Sequence, residues 1–195
     1  EDVRKPENLH RIVALIHDVH TQMGRYLIKP VMAFWPYQVN RTYITRLLAA
    51  GSKYQGMFDE LTAQSEMLEQ ATGAVELVIG HNDLLAANIL DDGDRLWLID
   101  WEYGGFNAPL FDLAGLASNN GLGEAQERQM LEQYFAASAD NHWRPYQAMK
   151  CASLMRETLW SMTSEIHSAL DFDYAQYTSE NLDRLNAALS DFANT

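Results

Sequence analysis

Cysteine and basic residues are both scarce in this sequence. The one cysteine, Cys151, excludes an internal disulfide and is typical of a reducing compartment, so we expect a cytoplasmic protein. Only 14 Lys and Arg stand against 27 Asp and Glu, which gives a formal net charge of −13. Phosphate contacts need clustered Lys and Arg, so we expect no nucleic-acid partner. The acidity favours cationic small molecules, although it also fits a role in solubility alone.

Long apolar runs and a secretion signal are missing too. No run approaches the roughly 20 apolar residues of a membrane helix, and the N-terminal EDVRKPENL is polar and charged. We therefore expect no membrane partner. The chain does not begin with Met, which indicates a piece of a longer protein. Its 195 residues suffice for one hydrophobic core, and we expect one domain across residues 1–195.

Apolar residues at helical spacing cover most of the chain and predict a mostly helical α+β fold. We expect a loop across 24–41 and helices at 6–23, 40–50, 52–71, 109–118, 124–138, 142–170 and from 178 onward. His17 and His20 lie three residues apart on the first helix. Because no third ligand is nearby in sequence, packing or hydrogen bonding is a better interpretation of this pair than a metal site.

One stretch, residues 74–105, contains the predicted β structure. The apolar runs 75–79 and 96–99 predict strands. The DDGD turn at 91–94 predicts a β-hairpin between a short strand at 89–90 and the run at 96–99. Polar residues stand where these runs end or begin: Asp83, Asn88 and Asp100. A rigid strand fixes such a position while a loop exposes the side chain, so chemistry is expected there.

The spacing His81-x-Asp83-x4-Asn88, followed by Asp100 at the end of the next strand, is specific. At ordinary residue abundances it arises by chance in roughly one chain of this length in a thousand. A hydroxyl that attacks a phosphoryl group needs a carboxylate to orient it and take its proton. The Mg²⁺ that accompanies ATP takes few protein ligands, all of them oxygen. Turn capping and a strand end would explain each residue alone, but the combination favours phosphoryl transfer.

These residues carry a resemblance. HNDLLAANIL followed by LIDWEY resembles the catalytic and metal loops of the protein-kinase-like fold, in the version of the choline/ethanolamine kinase family. The related aminoglycoside phosphotransferases more often have Gly where this chain has Asn82. PLFDLAGLA and LWSMTSEIHSALDFDYAQY extend the resemblance, which covers roughly residues 74–177 well and the N-terminal helices loosely.

The resemblance implies a role for each matching residue. Asp83 is expected to be the catalytic base, with His81 orienting the loop, and Asp112 is expected to brace it. Asn88 and Asp100 are expected to bind Mg²⁺, with Glu102 acting on a second metal through water. ATP is the implied co-substrate.

The substrate side of the resemblance is aromatic. Trp160, Tyr174 and Tyr177 match positions that surround the choline ammonium, and a quaternary ammonium is held by ring faces because it has no N–H to donate. Plain helix packing is the alternative interpretation of Trp160. Glu157 stands where the family often has a further Trp, so it either supplies charge to the site or indicates a different amine.

An ATP-clamping half is not recognisable. Kinases of this fold use a Gly-rich loop and a strand Lys to hold the phosphates, but the glycines before position 80 stand singly, and Lys29 and Lys53 lie outside strand-like sequence. We expect the C-terminal lobe alone, folded but with little kinase activity. Its missing N-terminal lobe would be its partner.

Three functions remain open. The first is an ATP- and Mg²⁺-dependent kinase of a small cationic amino alcohol such as choline or ethanolamine. The second is an aminoglycoside or other small-metabolite kinase, and the third is a non-catalytic amine-binding module. The intact set of Asp83, Asn88 and Asp100 argues against the third.

Overall fold

Helices dominate the computed structural model, which describes residues 2–136 and 139–195. The helices are α1 Pro6–Gln22, α2 Pro36–Ala49, α3 Phe58–Thr72, α4 Pro109–Asn120, α5 Glu124–Phe135, α6 Ala139–His167 and α7 Tyr174–Ala193. The strands are β1 Val78–Gly80, β2 Ile89–Asp91, β3 Leu96–Leu98 and β4 Gly105–Asn107. The predicted mostly helical α+β class is confirmed. Across the described residues, no helix combines the length and apolar character needed to cross a membrane.

The chain divides into two compact units. The first is formed by Glu1–Phe34 and Ala74–Tyr146, and the second by Trp35–Gly73 and Gln147–Thr195. All four strands, and with them the stretch at 74–105, belong to the first unit.

Two small antiparallel sheets shape the first unit. β2 and β3 form the predicted hairpin, with Leu90 opposite Trp97, while β1 pairs with β4 through Ile79 and Phe106. The sequence did not predict β4, a strand of only three residues. Its Gly105 permits close approach of the backbone at Met32, because an added Cβ would lie 2.6 Å from the Met32 carbonyl oxygen.

Helix α1 supports the hairpin. Pro6 stands at its N-terminus, where a missing N–H costs nothing, and the apolar stripe that follows is buried. Arg11, on the same helix, pairs with both carboxylate oxygens of Asp91 at the end of β2. The pair fixes the hairpin to α1.

Helix α4 forms the centre of the first unit. Its residues from Leu110 to Ser118 are all buried, including Asp112 in the first turn. Gly121 follows the helix in the left-handed conformation at φ 64°, which glycine adopts without strain. The predicted helix at 109–118 is thus confirmed and extends to Asn120.

The second unit corrects several predicted boundaries. Helix α2 begins at Pro36 rather than at Asn40. Proline is favourable at the first position of a helix, because the N–H that it lacks would have no partner inside the helix. Helix α3 begins at Phe58, after a 3₁₀ turn, rather than at Ser52. Helix α7 begins at Tyr174 rather than near Thr178, with the Asp173 side chain accepting the Gln176 N–H as a cap.

The helices predicted at 124–138 and 142–170 end before their predicted last residues. Helix α6 ends at His167, so residues 168–170 are not helical. Helix α5 ends at Phe135, and residues 137–138 of the predicted helix lie outside the described residues. The helical spacing of Ala148, Cys151, Met155, Leu159, Met162, Ile166 and Leu170 predicts one apolar stripe over 142–170. The first five of these residues are buried, but Ile166 and Leu170 are exposed.

Candidate active site

A buried carboxylate holds the start of the candidate catalytic loop, residues 81–88, which is called the catalytic loop below. The two oxygens of Asp112 accept the backbone N–H groups of His81 and Asn82, each at 2.7 Å. His20 Nε2 donates to the same carboxylate at 3.0 Å, and His20 Nδ1 lies 2.7 Å from the Tyr134 hydroxyl. His20 is therefore a hydrogen-bonding histidine, as its sequence context predicted.

The charge state of Asp112 follows from these contacts. Burial by itself would raise the pKa of its carboxyl group, but the hydrogen bond from His20 and the two loop amides outweigh burial. The pKa of Asp112 consequently lies below its ordinary value. The ionised form is the one that accepts all three donors.

Asn82 carries a supporting role that sequence reasoning missed. Its φ of 65° is left-handed, a conformation that Asn tolerates better than most residues. Its Nδ2 donates to the Tyr103 carbonyl oxygen at 2.9 Å, and its Oδ1 accepts from Asn107 Nδ2 at 2.9 Å. The side chain is buried and ties the catalytic loop to the segment around β4. The available signal in the sequence was the departure at Asn82 from the Gly that the resemblance to aminoglycoside phosphotransferases implies.

The far end of the loop is fixed through the backbone of Asp83. The Asp83 carbonyl oxygen accepts the Leu85 N–H at 2.9 Å and the Asn88 Nδ2 at 2.9 Å. Asn88 thus uses its amide nitrogen inside the loop. Among the described residues, no hydrogen bond uses its Oδ1, the atom of an Asn that binds metal.

His81 joins the loop to the end of β3. Its Nε2 donates to the Ile99 carbonyl oxygen at 2.8 Å, and its ring lies 4.6 Å from that of Trp101. Asp100 stands between these two contacts, at φ 61°, with an exposed side chain. The Ile99 N–H donates in turn to the Asn88 carbonyl oxygen at 3.0 Å. These contacts bring together the segments that carry Asp83, Asn88 and Asp100.

The donor atoms on these segments fit Mg²⁺. The Asn88 Oδ1 and the Asp100 carboxylate are oxygen ligands, and within the described residues neither has a protein partner. Glu102 is exposed two residues further on. Over residues 2–136 and 139–195, no three or more His, Cys, Asp or Glu side chains gather as a cage. Two or three protein oxygen ligands are enough for Mg²⁺, since this ion commonly binds one or two carboxylates and takes its other ligands from phosphates and water.

Four rings form an aromatic cluster in the second unit: Trp160, Phe172, Tyr174 and Tyr177. The ring centre of Trp160 lies 6.0 Å from that of Tyr174 and 6.4 Å from that of Tyr177. The ring planes of Trp160 and Tyr177 are perpendicular, at 90°. Phe172 lies 4.9 Å from Tyr174 and 5.8 Å from Tyr177. Phe172 was not predicted; its place in the DFDY sequence beside Tyr174 was the available signal.

Glu157 is attached to this cluster by a hydrogen bond. Its Oε1 accepts the Tyr177 hydroxyl at 2.8 Å, and its Oε2 pairs with Arg156 at 3.1 Å. Burial, with the charge of Glu157 second, raises the pKa of Tyr177 to about 12. Tyr177 therefore stays a neutral donor to Glu157.

A mostly helical chain with a small β-hairpin, in which a braced loop bearing Asp83 and Asn88 lies next to a strand that leads to Asp100, has the protein-kinase-like fold. Within that class, the family profile described as Choline/ethanolamine kinase matches residues 1–123. The chain belongs to the choline/ethanolamine kinase family.

Individual relatives cover more of the chain. Protein LicA of Haemophilus influenzae is 30% identical over 149 residues, which are 73% of this chain and 56% of LicA. Ethanolamine kinase 2 of Mus musculus is 29% identical over 210 residues, covering 91% of this chain and 52% of that protein. The crystal structure of a choline/ethanolamine kinase family protein from Mesorhizobium loti superposes with a TM-score of 0.81 at 22% identity, over 94% of this chain and 63% of that one. The chain thus spans about half the length of the curated relatives it matches.

Proposed function

We propose that this chain is the catalytic and substrate-binding lobe of an ATP- and Mg²⁺-dependent kinase that phosphorylates the hydroxyl of a small amino alcohol. The observation that carries the proposal is the hydrogen bond from His81 to the Ile99 carbonyl oxygen, 2.8 Å long. It fixes the loop bearing Asp83 and Asn88 to the strand end bearing Asp100. Family membership and the relatives named as ethanolamine kinases support the choice of reaction.

Asp83 is the proposed base. Its half-buried carboxylate orients the substrate hydroxyl and accepts its proton, while the hydroxyl oxygen bonds to the γ-phosphorus and the bond to the ADP oxygen breaks. The two hydrogen bonds to the Asp83 carbonyl oxygen hold the residue in place during this step. Asn88 and Asp100 would hold the metal, with Glu102 acting through water. When bound, Mg²⁺ neutralises charge on the phosphates.

The aromatic cluster is the proposed site for the cationic end of the substrate. The ring planes of Trp160 and Tyr177 are perpendicular, with their centres 6.4 Å apart. An ammonium that packs over the face of one of these rings, within about 6 Å of its centre, gains cation–π attraction. Each such contact contributes about 0.5–2 kcal/mol.

The phosphate-clamping half is proposed to lie on further sequence. The chain spans about half of its curated relatives, and its own sequence contains neither a Gly-rich loop nor a strand Lys before position 80. We expect the 195-residue chain to fold and bind substrate but to turn over little ATP.

The test is a substrate panel assayed by ADP release on the complete gene product and on the isolated chain. We expect turnover of ethanolamine or choline by the complete product, reduced about 10²- to 10⁴-fold by Asp83→Asn. Little turnover is expected from the isolated chain. Glu66→Gln, at an exposed position of α3, is the matched control and should leave turnover unchanged.

Each alternative has its own result. Inert amino alcohols together with phosphorylation of an aminoglycoside or sugar would establish the second function. Calorimetric binding of choline that is unaffected by Mg-nucleotide, without turnover, would establish an amine-binding module. Clear turnover by the isolated 195 residues would refute the need for a further lobe.

A further inference from the structure

Glu157 sits beside the aromatic cluster in a desolvated position. Its side chain is 14% exposed and that of Arg156 is 6% exposed. A carboxylate offers about four lone-pair sites, and the two hydrogen bonds from Tyr177 and Arg156 take two of them. A substrate group that brings N–H donors can use those that remain.

The neighbouring Arg156 changes what Glu157 can select. Because the two side chains form an ion pair at 3.1 Å, much of the attraction of Glu157 for any cation is cancelled. Attraction between net charges therefore contributes little to a preference of this site for one ammonium over another, and the ammonium ions compared here all carry one positive charge. Hydrogen bonding does separate them, since a primary ammonium has three N–H donors and a quaternary ammonium has none.

Tyr177 adds a second acceptor. Its hydroxyl proton is directed to Glu157 Oε1 at 2.8 Å, which leaves the phenol oxygen to accept a hydrogen bond. The rings of Trp160 and Tyr174 suit any ammonium, methylated or not. The polar side of the cluster suits only an ammonium that carries N–H.

We infer that Glu157, together with the Tyr177 hydroxyl, selects a primary ammonium over a quaternary one, so that the preferred substrate is of the ethanolamine class rather than the choline class. The inference rests on the proposed function, since it concerns the same amine site. A quaternary ammonium would bring no N–H donor to the remaining lone pairs of Glu157 and to the Tyr177 phenol oxygen, although it would displace water from them. Sites built to hydrogen-bond a substrate N–H discriminate strongly against analogues that lack it.

The experiment is calorimetric titration of the chain at pH 7 with ethanolamine, its N-methyl and N,N-dimethyl derivatives, and choline. All four are monocations at this pH, and their N–H donors fall from three to none. We expect the affinity to fall along the series, by at least about tenfold from ethanolamine to choline. Glu157→Gln should reduce this ratio to about threefold or less while changing choline affinity little, and Tyr177→Phe should reduce it in part.

Glu165→Gln is the matched control. Glu165 lies on the same helix α6 and also accepts a tyrosine hydroxyl, that of Tyr54 at 2.9 Å, while pairing with Lys53 at 2.6 Å. It lies outside the aromatic cluster, so this variant should keep the wild-type dependence on methylation. The wild-type series requires no variant to fold.

The results separate two kinds of failure. Choline binding as tight as ethanolamine, or tighter, overturns the selection of a primary ammonium and leaves the amino-alcohol site standing. An unchanged ratio in a folded Glu157→Gln variant overturns the role of Glu157. No binding of any member overturns the amine site and the proposed function with it.

Discussion

Replacing Asp112 with Asn should release the catalytic loop. The carboxylate accepts three donors, from the His81 amide, the Asn82 amide and His20, at 2.7, 2.7 and 3.0 Å. An Asn side chain has one acceptor oxygen and an NH₂ group, which would face one of those donors. The variant therefore loses the charge and leaves at least one buried N–H without a partner.

The magnitude follows from burial. Asp112 is 2% exposed, so water does not readily replace the lost acceptor. Removing one partner from a buried, charged hydrogen-bonded pair costs about 3–5 kcal/mol. At about 1.4 kcal/mol per factor of ten, amide exchange at His81 and Asn82 should accelerate by roughly two to four orders of magnitude.

The assay is hydrogen exchange of these two amides by NMR, together with urea unfolding. With a slope of about 2–3 kcal/mol/M, the urea midpoint should fall by about 1–2.5 M. Asp59→Asn is the matched control, because Asp59 also lies in the first turn of a helix but is exposed. Equal exchange and equal midpoints in the two variants would refute the bracing role of Asp112.

Acidification should remove the difference in stability between the wild-type protein and the Asp112→Asn variant. Since the pKa of Asp112 is lowered in the folded state, its contribution is fully present above the unfolded-state pKa of about 3.9 and is lost as pH falls through the folded pKa. The stability gap between wild type and Asp112→Asn should therefore be constant near neutrality and shrink below about pH 4. A gap that widens on acidification would contradict this charge assignment.

Two further substitutions test the surroundings of the loop. Asn82→Gly keeps a residue suited to φ 65° but removes the hydrogen bonds to Tyr103 and Asn107, so it should lower the free energy of unfolding in urea by about 1–3 kcal/mol. Asn82→Ala should cost about 1 kcal/mol more, because Ala is strained at a positive φ. A Gly variant as stable as the wild type would show that those hydrogen bonds contribute nothing. Gly105→Ala places a Cβ 2.6 Å from the Met32 carbonyl oxygen and should lower stability by about 1–3 kcal/mol in thermal melting. Gly24→Ala, whose Cβ meets nothing within 4 Å, is the control, and an equal Tm for both variants would contradict the close approach.

Local pattern was sufficient for much of the fold. The apolar periodicity located α1 and α6 because each buries a stripe of its own residues. The prediction was wrong at Pro36, because proline occurs both in loops and at the first position of a helix. Pro36 was interpreted as a loop residue, but it begins α2. Strand β4 was missed because its sequence, Gly-Phe-Asn, contains no apolar run, and its pairing with β1 joins residues 25 to 29 positions apart.

The candidate site was predictable only in part, for a related reason. The motif identifies Asp83, Asn88 and Asp100 because phosphoryl transfer requires those residue types at those spacings. His20 lies 92 residues from Asp112, and nothing local to its helix indicates that partner. Tyr134, which forms a hydrogen bond with His20 from α5, lies 114 residues from it in the sequence. Supporting residues of this kind depend on tertiary contacts that a single sequence does not display.

The geometry also explains why the motif has its spacing. The residues immediately before Asp83 bind other segments: His81 binds the Ile99 carbonyl oxygen, and Asn82 binds that of Tyr103. Five residues after Asp83, Asn88 returns to its carbonyl oxygen. Asp83 is thus held from both sides through its neighbours and its backbone. Since all these bonds lie within the first unit, the loop geometry requires no nucleotide, and the isolated chain should retain it even where it cannot turn over ATP.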